Sequence, residues 1–311
     1  MILTVTMNPS IDTAYQLEKL AVDDVNRVEP VKTAGGKGLN VTRVLGQLGD
    51  DVVATGLLGG HMGEFLADLM DADGVTHDFA PIAGESRICI AVLHEGCQTE
   101  FLESGPVVSE EELGAFTEKF RALAAKADVV TMSGSLPRGV DAGCYARLTE
   151  IAGELGAKVL LDTSGPSLDA ALAGTVKPYL VKPNLSELSA LLGHELSSND
   201  VFGIRDTIDS DGRFDGVGWV VVSMGAAGSA AFHDGEIFRA VPPRIDCVNA
   251  TGSGDSTVAG FAHAIAAGAE PAEVLRCGNA CGTLNAMDPK TGHLPMERWD
   301  EVFSAIRVSK L

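Results

Sequence analysis

The chain has 311 residues, 45% hydrophobic and 21% charged, with 23 Lys and Arg against 43 Asp and Glu for a formal net charge of −20. That length and apolar content sustain one large α/β domain or two ordinary ones and exclude a disordered tail. The acidic excess disfavours a sequence-independent grip on nucleic acid or on an anionic membrane, because such binding rests on surplus Lys and Arg.

β-branched runs alternate with helical patterns along the chain. Strands are expected at Ile2–Thr6, Val52–Leu58, Ile88–Leu93, Asp128–Ser133, Lys158–Thr163, Tyr179–Lys182 and Trp219–Ser223. Helices are expected at Gly63–Ala72, Glu110–Ala127, Gly143–Leu155, Ser186–Leu192, Ser256–Ala267 and Pro271–Met287, with a further one over VTRVLGQLG after Asn40. This alternation predicts an α/β fold whose mostly parallel central sheet is covered on both faces and binds ligands beyond the carboxyl ends of its strands. Residues 12–33 and 86–103 break the rhythm as extended antiparallel pieces without crossover helices, the second turning at His94-Glu95-Gly96, and are expected to form a small accessory sheet. Neither a linker nor an internal repeat divides residues 1–311, so one domain is expected.

Residues 1–47 hold five basic side chains (Lys19, Arg27, Lys32, Lys37, Arg43) and five acidic ones, so the whole excess of acid lies beyond them. An anionic ligand therefore needs a local basic pocket. The six cysteines include no C-x-x-C pair and are few for a disulfide framework, which predicts free thiols. Cys277 and Cys281 fall at i, i+4 on a predicted helix, where core packing outweighs metal binding. MILTVTMNPSID lacks the basic segment of a signal peptide, and the weakly polar stretch 219–232 is too short and Gly-rich to span a bilayer, so a soluble cytoplasmic protein is expected.

The most informative stretch is Asn249-Ala-Thr-Gly-Ser-Gly-Asp255-Ser ahead of TVAGFAHAIAAG. Gly252 and Gly254 let backbone approach a ligand, and the helix start behind them aims free N–H groups and positive dipole at an anion. Asp255 at that start is expected to be ionised and to accept a hydroxyl proton; the plainer alternative is an Asp N-cap that needs no ligand. A second Gly-rich turn, Ala34-Gly-Gly-Lys-Gly-Leu-Asn40, is no P-loop, since Lys37 is followed by Gly38, and the chain has no G-x-G-x-x-G fingerprint. Three more turns, SGSLPRG from Ser133, VKPNLSEL from Val181 and VSMGAAG from Val222, each follow a predicted strand.

In their order and spacing, TMNPSID, Asn26-Arg27, GGKGLN, SGSLPRG, VKPNLSEL, VSMGAAG and ATGSGDSTVAGF resemble the ribokinase-like (PfkB) sugar kinases over essentially the whole chain. The opening T-x-N-P-S-x-D and the D-D-V-N-R run are similar to the branch that phosphorylates ketohexose phosphates, tagatose-6-phosphate kinase and 1-phosphofructokinase. The HEG, QTE and ESGP pieces, the GSGD turn and the Asn285–His293 ending are more similar to the former. The resemblance implies Asp255 as base and the amides of Gly252, Ser253 and Gly254 as anion hole. It implies that Asp12, Gly36, Lys37 and Asn40 hold sugar hydroxyls, and that Arg27, Arg87 and Ser135 bind the phosphate already on the substrate. Lys182, Asn184 and Glu187 would face ATP and its Mg²⁺, Glu187 as metal ligand, while Ser223, Gly225 and Gly228 line the nucleotide site. Residues 12–33 and 86–103 would be a β-sheet lid that also forms a homodimer contact. Arg138 stands open between solvent and phosphate, and Glu187 between metal and an exposed helix turn. The rivals are fructose 1-phosphate as substrate, a nucleoside kinase, which the basic residues disfavour, and a non-catalytic sugar-phosphate sensor, which retention of Asp255 disfavours.

Overall fold

A computed structural model describes residues 1–311. Its strands are β1 (Ile2–Thr6), β2 (Ser10–Leu17), β3 (Val31–Gly35), β4 (Val52–Gly59), β5 (Ala80–Ile82), β6 (Arg87–His94), β7 (Cys97–Leu102), β8 (Val129–Ser133), β9 (Lys158–Asp162), β10 (Leu180–Val181), β11 (Trp219–Ser223), β12 (Ser229–His233), β13 (Glu236–Val241) and β14 (Arg307–Lys310). Its helices are α1 (Lys37–Leu48), α2 (Gly60–Ala72), α3 (Glu110–Ala124), α4 (Cys144–Glu154), α5 (Gly165–Ala173), α6 (Leu185–Leu192), α7 (Val201–Ser210), α8 (Ser253–Ala266), α9 (Pro271–Ala286) and α10 (Trp299–Ala305).

The main sheet runs β14-β13-β12-β11-β10-β9-β8-β1-β4-β5, parallel from β11 to β5 and antiparallel from β11 to β14. Alternation along the strands feeds two cores. Leu3, Val5, Val130 and Met132 meet Phe116 and Phe120 of α3 and Tyr145 of α4 on one face, while Ile2 and Val129 meet Val44 of α1, Phe261 of α8 and Leu284 of α9 on the other. β1 and β8 are buried along their whole length, as both-face coverage requires.

The two irregular segments form a separate sheet in the order β3-β2-β6-β7. Its hairpins are antiparallel, and Glu95 and Gly96 take the left-handed conformations (φ 50 and 75) of a two-residue turn. The expectation of antiparallel pieces fails at the centre: β2 pairs with β6 in parallel, Ser10 opposite Arg87 through Leu17 opposite His94. Each hairpin supplies one inner strand, and sequence periodicity carries no signal for the direction in which two distant hairpins meet. Ile88–Leu93 accordingly belongs to this sheet and not to the parallel one. No helix is long and apolar enough to cross a membrane.

Candidate active site

α8 begins at Gly252, whose φ of 80 is left-handed and whose Cβ, if present, would lie 2.5 Å from Thr291 Cγ2. The turn before it is held by Asn285 of α9, fully buried, which donates to Thr251 O (2.9 Å) and Ser253 Oγ (3.2 Å) and accepts from Gly292 N (2.8 Å) and Ser256 Oγ (3.1 Å). The Ser253 amide is spent inside the turn on Ala250 O (3.2 Å). Of the expected trio, the amides of Gly252 and Gly254 have no backbone acceptor while that of Ser253 has one, and the Asp255 amide beside them is free as well.

Asp255 is the third residue of α8 and is no N-cap, a position Gly252 holds. Its carboxylate, in a residue only 6% exposed, accepts from Asn40 Nδ2 of α1 at 2.7 Å. Burial and then the neighbouring Asp162 push its pKa up to about 6, against the pull of Asn40, Lys37 and Lys182. The helix dipole therefore does not dominate, contrary to the sequence expectation that it favours the ionised form: desolvation wins.

Around Asp255 the carboxyl ends of the strands bring opposite charges together. Lys182, just past β10, pairs with Asp162 at the end of β9 at 3.4 Å, both almost wholly buried. Lys37, the first residue of α1, is held charged by a raised pKa, chiefly through Asp162 and then, against the cost of burial, through Asp255 and Glu187. The Asn40 amide is fixed from behind, because its Oδ1 accepts from Arg43 Nη2 (2.6 Å) while Arg43 Nη1 donates to Ala34 O (2.6 Å). Asp12 of β2 accepts from Ser10 Oγ (2.6 Å), and its pKa is raised by burial. Gly35 makes room for it: a Cβ there would fall 2.0 Å from Asp12 Cγ.

One cavity of about 1700 Å³ is lined by Asp12, Gly36, Lys37, Asn40, Arg87, Asp162, Lys182, Asn184, Glu187, Ser223, Gly252, Gly254 and Asp255. Five expected site residues lie off that lining. Arg27 is exposed in the β2–β3 connection; Ser135, also exposed, sits 3.5 Å from Asn8 Nδ2; Ser253 is half-buried in its turn. Gly225 and Gly228 form the turn between β11 and β12, where Gly228 (φ 84) packs so closely that a Cβ would meet Ala240 O at 2.1 Å, a structural demand of its own. Asn184 and Glu187 form a reciprocal capping box on α6: Glu187 N donates to Asn184 Oδ1 (2.8 Å) and Asn184 N to Glu187 Oε2 (2.9 Å). The cap occupies one Glu187 oxygen and leaves the other. With Asp162 also on the lining, this donor set fits Mg²⁺, which takes one or two protein carboxylates and completes its shell with phosphate oxygens and water. All six cysteines are free, with Cys277 and Cys281 buried in α9.

Sequence reasoning passed over Asp162, Gly35, Asn285 and Arg43. An acid ending a parallel strand and a glycine doublet after a hairpin were available signals for the first two; Asn285 and Arg43 act only through tertiary contacts, Asn285 on the turn before α8 and Arg43 on Asn40 and the carbonyl of Ala34.

The chain matches the profile of the pfkB family carbohydrate kinases over residues 5–298. Phosphofructokinase-2 from Escherichia coli, solved in complex with fructose-6-phosphate, is 30% identical with a TM-score of 0.86, covering 97% of this chain and 98% of that one. Its complex with potassium has the same identity and coverage with a TM-score of 0.89. A protein described as a possible 1-phosphofructokinase from Thermotoga maritima is 27% identical with a TM-score of 0.89, covering 100% of this chain and 99% of that one. With a buried acid behind free helix-start amides, and the family's profile spanning nearly every residue, the chain belongs to the pfkB family of carbohydrate kinases and is an ATP-using sugar-phosphate kinase.

Proposed function

We propose that the protein phosphorylates tagatose 6-phosphate at its C1 hydroxyl, giving tagatose 1,6-bisphosphate. The observation that carries the chemistry is the buried Asp255 carboxylate, poised near neutrality beside unpaired amides and two lysines. Asp255 takes the hydroxyl proton as that oxygen attacks the γ-phosphorus in line, the bond to the ADP oxygen breaks, and the amides of Gly252, Gly254 and Asp255 stabilise charge on the transferring group. Asp12 and Asn40 orient the sugar, Lys37 and Lys182 meet phosphate oxygens, and Arg87 binds the phosphate the substrate already carries. Arg27 and Ser135 belong to the same phosphate assignment, Ser253 to the anion hole, and Ser223, Gly225 and Gly228 to the nucleotide side. Glu187 and Asp162 would hold Mg²⁺, which neutralises charge on the β- and γ-phosphates when bound. The small sheet acts as a lid on a single domain and as the contact of a homodimer.

The tagatose assignment is supported by the GSGD turn and the Asn285–His293 ending; the second reading, fructose 1-phosphate, is favoured by the likeness to the Thermotoga maritima protein. Steady-state kinetics on tagatose 6-phosphate, fructose 1-phosphate, fructose 6-phosphate and free fructose decide between them. We expect the highest kcat/KM with tagatose 6-phosphate and a loss on the order of 10³-fold for free fructose, whose missing phosphate leaves buried polar groups unpaired. A ratio favouring another ketohexose phosphate overturns the substrate and keeps the chemistry.

A further inference from the structure

After α9 the chain crosses the site as an irregular segment, residues 291–294, that touches both halves of it. On one side Thr291 lies against the turn before α8: its Oγ1 accepts from Asn249 Nδ2 (3.3 Å), and its methyl leaves Gly252 no room for a Cβ. On the other side Gly292 (φ 67) packs on α1 so closely that a Cβ there would lie 3.1 Å from Asn40 Cα and 3.3 Å from Asn40 O. Asn40 is the residue that holds the Asp255 carboxylate.

Backbone pairing does not hold Gly292 and Leu294 there. The N–H and C=O of Gly292 and the N–H of Leu294 have no backbone partner, and each goes to a side-chain amide instead. Gly292 N donates to Asn285 Oδ1 (2.8 Å), Gly292 O accepts from Gln47 Nε2 (3.1 Å), and Leu294 N donates to Gln47 Oε1 (2.9 Å). Gln47, in the last turn of α1, so pairs with the segment much as a strand would, exchanging a donor and an acceptor with residues two apart. Asn285 uses its full capacity, two bonds accepted and two donated, and joins the segment to Thr251, Ser253 and Ser256.

Gln47 and Gly292 both line the large cavity, yet Gln47 has no hydrogen left for a ligand, because the second one on Nε2 goes to Arg43 O (3.1 Å). A neutral, half-buried side chain whose donors are spent on backbone is arranged to place that backbone. What it places is the chemistry. The base is held on one side of the segment, through Asn40, and the free amides stand on the other, through the turn that Asn285 fixes. In-line transfer needs both at once in a geometry where small displacements are costly.

We propose that Gln47 is a positioning residue for phosphoryl transfer: with Asn285 it clamps residues 291–294 between α1 and the turn before α8, and so fixes the base and the anion hole relative to each other. It touches neither substrate. Its contribution is realised in the transition state, where the attacking oxygen and the transferring group must be met together, and not in the binding of either partner. This rests on the reading of Asp255 as the base and of the amides beside it as the anion hole, and not on which sugar phosphate is taken.

The test compares the whole protein with Gln47→Leu, which keeps the bulk of the side chain and removes its amide. With the sugar that wild type turns over fastest, kcat should fall on the order of 10- to 100-fold, while KM for that sugar and KM for ATP each move under about threefold. Affinity for ADP with aluminium fluoride, a mimic of the transferring group, should fall as well, with ADP alone bound as before. Gly292→Ala, whose methyl must push the segment off Asn40, should lower kcat likewise, and the two changes together should cost less than the product of their separate effects, since they act through one displacement. Urea denaturation identifies the variants that are folded; should Gln47→Leu fail to fold, Gly292→Ala read by the same split of kcat from KM decides. A kcat within about twofold of wild type in folded Gln47→Leu overturns the proposal. So does a loss confined to one KM, which would make Gln47 a ligand of that substrate, and so do effects that multiply. Asp255→Asn run alongside separates the failures: a near-wild-type rate there removes the base and this proposal with it, whereas an unimpaired Gln47→Leu beside an inactive Asp255→Asn removes the clamp alone. If wild type turns over no ketohexose phosphate, binding of ADP with aluminium fluoride still decides: weaker in Gln47→Leu supports the clamp, and equal refutes it.

Discussion

Asp255 has to be ionised to accept a proton, yet burial and the Asp162 charge push its pKa up to about 6. Below that value the carboxyl is protonated and cannot act, so kcat should fall as pH drops through about 6 and level off above it. Asp255→Asn should lower kcat by about 10²–10⁴-fold while nucleotide binding persists, measured by steady-state rates beside an ATP titration. A rate within about threefold of wild type would reduce Asp255 to a helix residue. Asp162→Asn removes the charge that raises Asp255, so the acid limb of the kcat profile should move to lower pH; an unmoved limb would mean that burial alone sets it. Asp255, Lys37 and Asn40 were legible because they sit in or just after Gly-rich turns, and Lys182 because it stands between the end of a strand and Pro183. Asp162 was legible only as an acid ending a strand; its partner could not be read, because β9 lying beside β10 is what brings it to Lys182.

At the scale of elements, α1 and α8 carry the two halves of the site and are joined at both ends. At the site end the bond runs from Asn40 to Asp255; at the far end His263 Nδ1 meets Asp50 Oδ2 at 2.9 Å. The Asp50 hydrogen bond raises the His263 pKa above the ordinary 6.5. The protonated ring is the stabilised form, so its contribution is complete below pH 6.5 and fades as pH rises through the higher folded value. His263→Gln should therefore lose stability relative to wild type at about pH 5.5 and much less at about pH 8.5, read by urea denaturation at both values. A gap that does not change with pH would assign the loss to packing. The parallel core and most helices could be read from periodicity, because burial on both faces gives unbroken β-branched runs such as those of β1 and β11. The antiparallel edge β12–β14 was missed: SAAFH and RVSK lack such runs. α5 carries a Pro in its first turn and shows no strong apolar stripe, while α7 does carry one, Val201, Ile204 and Ile208, that begins after a polar loop and was passed over.

Several of the most exposed large apolar side chains belong to the small sheet and its connection. Val22, Val25 and Phe101 are 83%, 69% and 60% exposed, far apart in sequence and carried by the same sheet and its connection. Exposed apolar groups at a strand edge invite a partner, and the proposed homodimer would cover them. Wild type should run as a dimer and Val25→Glu/Phe101→Glu as a monomer of unchanged secondary structure, by light scattering and circular dichroism. A monomeric wild type would remove the lid contact.

The parallel pairing of β2 with β6 also bears on the order in which the chain assembles. β2 and β3 close locally as a hairpin, as do β6 and β7, but Ser10 meets Arg87 only after β4, α2 and β5 have been laid between them. Neither hairpin has another strand to lean on, and two-stranded ribbons are marginal by themselves. Their union closes a long loop, so it should come late, after β1 has found β4 and β8. Pulse-labelled hydrogen exchange during refolding should show protection reaching the amides of β1, β4 and β8 before those of β2 and β6; simultaneous protection would make the small sheet part of the folding nucleus. Since Asp12 stands on β2 and Arg87 begins β6, a refolding chain would then regain nucleotide binding before it regains its hold on the sugar.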